Sequence, residues 1–126
     1  MITVETDNRS GAPIEGEEAA ALARRVLTAE GVTDAELGIS WVGAKEMRTL
    51  KREHLGIDEA TDVLSFPIDG RDAVPEGVPR ALGDVILCPD VVGEEWRSPL
   101  VHGLLHLLGY EHGDEMATRE RAYALP

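Results

Sequence analysis

The stretch His102-Gly103-Leu104-Leu105-His106-Leu107-Leu108-Gly109-Tyr110-Glu111-His112 constrains this chain more than any other. It holds three of the chain's four histidines. Helical residues advance by about 100° each, so His102 and His106 lie one turn apart on the same face. Leu100, Val101, Leu104, Leu105, Leu107 and Leu108 form a broad arc on the other side. That arc can be buried while both imidazoles look into a cleft. Ser98 followed by Pro99 reads as an N-cap and first helical position. Gly109 reads as the left-handed residue just past the helix end, after which the chain turns and His112 can return toward the other two.

Three imidazoles so arranged suit a divalent metal ion. A closed structural zinc site takes four protein ligands, whereas a catalytic one takes three and keeps a vertex for solvent or substrate. No fourth Cys or His lies nearby in sequence, so His102, His106 and His112 are candidate ligands of a catalytic ion. The spacing H-x-x-x-H-x-x-G-x-x-H also occurs in the metzincin metalloproteases. Those enzymes need Glu directly after the first His as general base. Here the position is Gly103, which accepts no proton and costs about 1 kcal/mol against Ala inside a helix. Its missing side chain is expected to open space beside the metal. Metal-assisted hydrolysis of another bond remains, with hydroxide generated mainly by the ion.

The length of 126 residues fits one domain with a real core, taken as residues 1–126. Net charge is −12, from 12 basic and 24 acidic residues. Such a balance opposes general nucleic-acid affinity, which depends on Lys and Arg neutralising phosphates. With one Phe, two Trp and two Tyr, an extended base-stacking platform is not expected either. A polyanionic substrate therefore requires a local basic patch, the metal or a partner. The single Cys88 excludes an internal disulfide, fits a reducing compartment and reads as a buried, inert thiol. Met1 to Glu5 shows no basic segment before an apolar run, and no stretch has bilayer-spanning length, so a cytoplasmic setting is expected.

Hydrophobic periodicity gives the element order β-α-β-α-β-β-α-α. Strands are expected at Ile2–Thr6, Glu36–Val42, Thr61–Phe66 and Gly83–Cys88, and helices at Glu17–Glu30, Ala44–Leu55, from Pro99 onward and in Gly113–Leu125. Asp90 to Arg97 reads as a short helix or turn. The predicted class is α/β (α+β): one mixed sheet of about four strands, with about four helices and the metal-binding helix near the C-terminus. Pro67 to Leu82 is a connection long enough to be functional or mobile. On the second helix Arg48, Lys51 and Arg52, with Lys45, form a stripe that is either a solvated face or a phosphate-facing, substrate-binding patch. His54, spaced with Met47 and Leu50, reads as core or boundary packing.

Three blocks together resemble the YbeY endoribonucleases, the rRNA maturation factors. They are Thr61-Asp62-Val63-Leu64-Ser65-Phe66-Pro67, Leu82-Gly83-Asp84-Val85-Ile86-Leu87-Cys88-Pro89 and His102 to His112. The resemblance covers roughly residues 36 to 114. It implies a zinc-dependent, single-strand-specific endoribonuclease acting on ribosomal RNA, with ribosomes or assembly factors as partners, no DNA and no membrane. It assigns one Zn2+ per chain to His102, His106 and His112. Many members carry an Arg where this chain has Leu55, and Arg52 one turn earlier is the nearest replacement charge. The family's common Asp before the last histidine is Glu111 here. Glu111 is the candidate catalytic carboxylate, able to orient a histidine or move a proton, or else an exposed turn acid. Asp62 and Asp84 are expected to cap or brace the sheet near the cleft. Two other readings stay open: a non-catalytic, metal-stabilised ribosome-assembly factor and a metzincin-like protease.

Overall fold

A computed structural model describes residues 1–125. Pro126, the last residue of the expected domain, lies outside the described residues. The elements are β1 (Ile2–Asn8), α1 (Gly16–Ala29), β2 (Ala35–Trp41), α2 (Ala44–Leu55), β3 (Val63–Pro67), β4 (Arg80–Leu87), α3 (Pro89–Val92), α4 (Arg97–Leu107) and α5 (Asp114–Tyr123). The sheet order is β1-β2-β4-β3. β1, β2 and β4 run parallel, and β3 pairs with β4 antiparallel as an edge strand. The mixed four-stranded sheet matches expectation, and α3 supplies the short helix expected before the metal helix.

Alternation along the strands sorts side chains to two faces. Leu37, Ile39, Trp41, Val85 and Leu87 join α1, α4 and α5 in the larger core. Leu64, Ile86 and Cys88 join Val42, just after β2, and Met47 of α2 in a smaller one, with Phe66 packed against it. Cys88 has no exposed surface, and burial pushes its thiol pKa up, as an inert thiol requires. The α2 N-terminus lacks a capping side chain of its own. Asp90 of α3 supplies one, accepting a 2.9 Å hydrogen bond from the Ala44 N–H.

β4 begins at Arg80, three residues before the expected Gly83. The extra segment contains an irregularity: the register with β2 shifts between Glu36 and Leu37, skipping Leu82. A bulge of this kind breaks the alternation by which the strand would be recognised. Gly83 sits there with φ +135°, and a Cβ would come within 2.2 Å of the Phe66 carbonyl oxygen. The connection before it is tied down. Arg80 donates to the Gly70 carbonyl at 2.6 Å, and Arg71 Nε donates to the Leu108 carbonyl at 3.1 Å.

In α4, Leu100, Leu104 and Leu105 are fully buried and Leu107 nearly so. Fully burying each such side chain contributes about 1.5–3 kcal/mol. The helix begins earlier than expected. Trp96 occupies the N-cap position, and Ser98 lies inside the first turn, its hydroxyl turned to Glu120 instead. Pro99 is tolerated because the first-turn N–H groups have no intrahelical partner. The other end matches the reading. Gly109 has φ +93°, its N–H donates to the His106 carbonyl, and the Tyr110 N–H donates to the Leu105 carbonyl. These paired bonds are a Schellman motif.

Candidate metal centre

Gly103 faces the sheet, not open space beside the histidines. A Cβ there would lie 2.8 Å from Val85 Cγ1, 3.1 Å from Val63 Cγ2 and 3.1 Å from Ser65 Oγ. The glycine lets α4 settle directly on β3 and β4. Ser65 Oγ then donates to the Gly103 carbonyl at 3.1 Å. Close docking fixes the height at which His102 and His106 emerge at the β3 edge.

The Schellman turn brings His112 back. The three Nε2 atoms form a nearly equilateral triangle, 3.1 Å between His106 and His102 and 3.2 Å along the other two sides. Nitrogens this close together can all reach one cation and leave a vertex free, as a catalytic zinc site requires. The protonation pattern supports the same reading. His106 Nδ1 lies 3.0 Å from the Tyr110 carbonyl oxygen, which can only accept, so Nδ1 carries the hydrogen. His102 Nδ1 lies 2.6 Å from Glu120 Oε1, and the same assignment follows. The Nε2 atoms of both rings therefore present lone pairs to one another across 3.1 Å, an arrangement that a cation resolves. Burial and the neighbouring His102 and His112 push the His106 pKa down, which favours the neutral, ligating form. The donor set fits a borderline metal such as zinc.

The triad forms part of a cleft of about 630 Å3. Lys51 and Leu55 of α2, Thr61 to Ser65 and Pro67 of the β3 edge, and Ser98, Pro99 and Glu120 complete its lining. Glu120, on α5, is the carboxylate that touches the triad. Its second oxygen accepts from Ser98 Oγ at 3.0 Å. It lies eighteen residues from His102, and only the docking of α5 on α4 brings the two together. Glu111 is exposed in the turn, does not line the cleft, and makes no hydrogen bond to a histidine among the described residues.

The basic stripe divides. Lys51 lines the cleft, while its Nζ lies 3.3 Å from Glu59. Arg48 grips Asp58 with both ends of its guanidinium, at 2.7 and 3.0 Å, and Arg52 lies 3.7 Å from the same carboxylate. The Arg48 contact holds the Asp58 pKa below the usual carboxylate range. Neither arginine lines the cleft. Leu55 does, 56% exposed. His54 is exposed and leans on Phe66, ring centroids 4.9 Å apart, a boundary contact outside the triad. Asp62 caps β3, accepting from the Val63 N–H at 2.8 Å, and lines the cleft. Asp84 lies away from the cleft, its carboxylate over Gly38 on the other sheet face.

Comparison with known proteins agrees with this geometry. The family model described as endoribonuclease YbeY matches residues 4–123. The endoribonuclease YbeY of Salinispora tropica is 35% identical over 139 residues, covering 94% of this chain and 88% of its own. That of Beutenbergia cavernae is 39% identical over 135 residues, covering 94% and 89%. That of Acidothermus cellulolyticus is 40% identical over 138 residues, covering 94% and 84%. A solution structure of a Thermotoga maritima protein superposes with a TM-score of 0.57 at 24% identity, over 98% of this chain and 87% of that one, and supports the fold. Because the matched region spans both walls of the cleft and all three convergent histidines, the chain belongs to the YbeY endoribonuclease family.

Proposed function

We propose that this chain is a zinc-dependent endoribonuclease specific for single-stranded RNA. Its role is maturation of the 3′ end of small-subunit (16S) ribosomal RNA and ribosome quality control, in the cytoplasm and in company with ribosomes or assembly factors. The observation that carries the reading is the Nε2 triangle, with Nδ1 of two rings engaged, set in a cleft open along the β3 edge. Among the described residues no helix is long and apolar enough to cross a membrane.

His102, His106 and His112 would hold one Zn2+. When bound, the ion supplies Lewis-acid charge at a phosphoryl oxygen and favours a deprotonated nucleophile near neutral pH. Glu120 keeps His102 in the tautomer that frees Nε2, and the Tyr110 carbonyl does the same for His106. Glu120 thus takes the orienting role for which Glu111 is the candidate from sequence. Lys51, which lines the cleft, would offer its ammonium to the RNA backbone in exchange for Glu59. Leu55 and Pro67 line the cleft beside them, near the entering strand.

A metzincin-like protease needs a Glu at 103, where a Cβ would already press on Val85. A non-catalytic assembly factor is favoured by one observation: the cleft presents Leu55 where the family resemblance implies an Arg. The deciding experiment is cleavage of a fluorescently labelled single-stranded RNA by purified protein. The nuclease reading expects cutting that stops with chelator and returns with zinc. No cutting at any zinc level, with unfolding on chelation, would establish the assembly factor instead.

A further inference from the structure

We propose that Glu30, at the C-terminal end of α1 and outside the cleft, is a positioning residue for the metal centre. Its side chain is 2% exposed, and its carboxylate gathers four donors from three separate segments. Oε1 accepts from Tyr110 Oη at 2.6 Å and from Arg71 Nη2 at 3.2 Å. Oε2 accepts from Arg119 Nη1 at 2.7 Å and from Tyr123 Oη. Burial alone would raise the Glu30 pKa. The two hydroxyls and two guanidiniums outweigh it and hold the carboxyl below its usual range, so the group is a buried anion.

The partners of this anion include both supports of the histidines. Tyr110 is held by its hydroxyl, and the carbonyl of that same residue accepts from His106 Nδ1. Arg119 precedes Glu120, which accepts from His102 Nδ1. Besides this hub, α5 docks through Met116, its one buried residue among those described, through Tyr123 against the same core, and through Arg25 on the Tyr123 carbonyl. Arg71 extends the hub to the end of α4, where its Nε satisfies the Leu108 carbonyl. One carboxylate therefore aligns the acceptors behind two of the three ligands. Removing it leaves every metal-binding atom in the chain but lets both acceptors drift. Loss of a ligand's direct outer partner weakens metal affinity about tenfold to hundredfold; Glu30 acts one step further out but on two such partners at once, so the lower end of that range is expected.

The inference rests on the metal reading above, and its test reads metal rather than RNA. Zinc affinity is measured by competition with a chromophoric chelator for wild type, Glu30→Ala, Glu30→Gln and Ile39→Ala. Ile39 is fully buried on β2 and away from the hub, so its variant controls for general destabilisation. Imidazole nitrogen NMR of the zinc-free proteins reports the tautomers of His102 and His106. The expected result is a zinc dissociation constant raised about tenfold or more in Glu30→Ala, and about threefold or more in Glu30→Gln, which keeps the shape and can still accept from a tyrosine. The Nδ1–H tautomers would lose their single populated form in both, and Ile39→Ala would stay within about twofold of wild type. Should Glu30→Ala not fold, Glu30→Gln decides. Unchanged zinc affinity and tautomers in the folded Glu30 variants overturn the inference alone, as does an Ile39→Ala loss equal to theirs. A wild-type chain that takes up no zinc overturns the metal reading and this inference with it.

Discussion

The two walls of the cleft are built to opposite rules. The α4 wall carries half-buried His102 and His106, each with Nδ1 already engaged, and the exposed His112 beyond them, above leucines with almost no exposed surface. The α2 wall carries Lys51, paired with Glu59, and Leu55; behind it, outside the cleft, Arg48 and Arg52 are more than half exposed and share Asp58 in the turn that follows their own helix. Exposed pairs of this kind contribute little and rearrange readily. On the proposed function, the first wall is preorganised for an ion whose ligands tolerate small displacements badly, and the second is left to adapt to a flexible polyanion. In a chain of net charge −12, pairing the cations with local acids also limits indiscriminate attraction to nucleic acid.

The largest expected effect comes from breaking the rigid wall at its centre. His106, like each of the three, has Nε2 contacts to both other rings, and it lies between them in the chain. His106→Ala leaves two imidazoles, too few for a stable site, and should take zinc content from one per chain to none together with RNA cleavage. Native mass spectrometry checks this, and a full one-to-one load in the variant would remove the triad from the mechanism. Next comes the contact that sets the height of the wall. Gly103→Ala pushes a methyl into Val85 Cγ1, an overpacking that costs about 1–3 kcal/mol. About 1 kcal/mol of better helix propensity offsets part of it. The net result is a lower Tm, recovered in part by adding Val85→Ala. A Tm equal to or above wild type would mean that helix and sheet stand further apart.

The contrast between walls also marks what can be read before a structure exists. The triad is legible because i, i+4 and a glycine-terminated helix are local geometry. The element order is legible because periodicity is local too. Glu120 is not, because its nearness to His102 depends on where α5 docks, and nothing within eighteen residues of chain encodes that docking by spacing. Gly103 is legible as unusual but not in its purpose, since the atoms it makes room for belong to β3 and β4. Arg48, Lys51 and Arg52 do share a region of α2. Their pairing with Asp58 and Glu59 arises after Gly56, with φ +72°, turns the chain back past the helix end.

A smaller, pH-dependent effect tests how the rigid wall is anchored. The Glu30 carboxyl is depressed in the folded state, so the unfolded chain binds its proton at higher pH. The stabilisation is fully present above the unfolded value of 4.5 and is lost as pH falls through the folded value. Glu30→Gln should lower Tm at pH 7, and the gap to wild type should close progressively below pH 4.5. Thermal melts across that range are sufficient, and a gap that stays constant would exclude a buried anion.

The smallest effect belongs to the adaptable wall. Lys51 lines the cleft with a side chain 14% exposed, whereas the arginines lie outside it and share Asp58. If each phosphate contact on single-stranded RNA contributes about 0.7 to the salt slope, Lys51→Met should flatten log K against log salt by about that amount. Arg48→Met with Arg52→Met should change it by less, because both lie outside the cleft and Asp58 already offsets one of their two charges. Asp58→Asn sharpens the comparison by releasing both arginines, and binding should then strengthen and steepen with salt. Fluorescence anisotropy of a short labelled RNA at several salt concentrations separates these cases. A slope that falls equally for the lysine and the arginine changes would mean that RNA draws Arg48 and Arg52 off Asp58, making all three cations one substrate-binding surface.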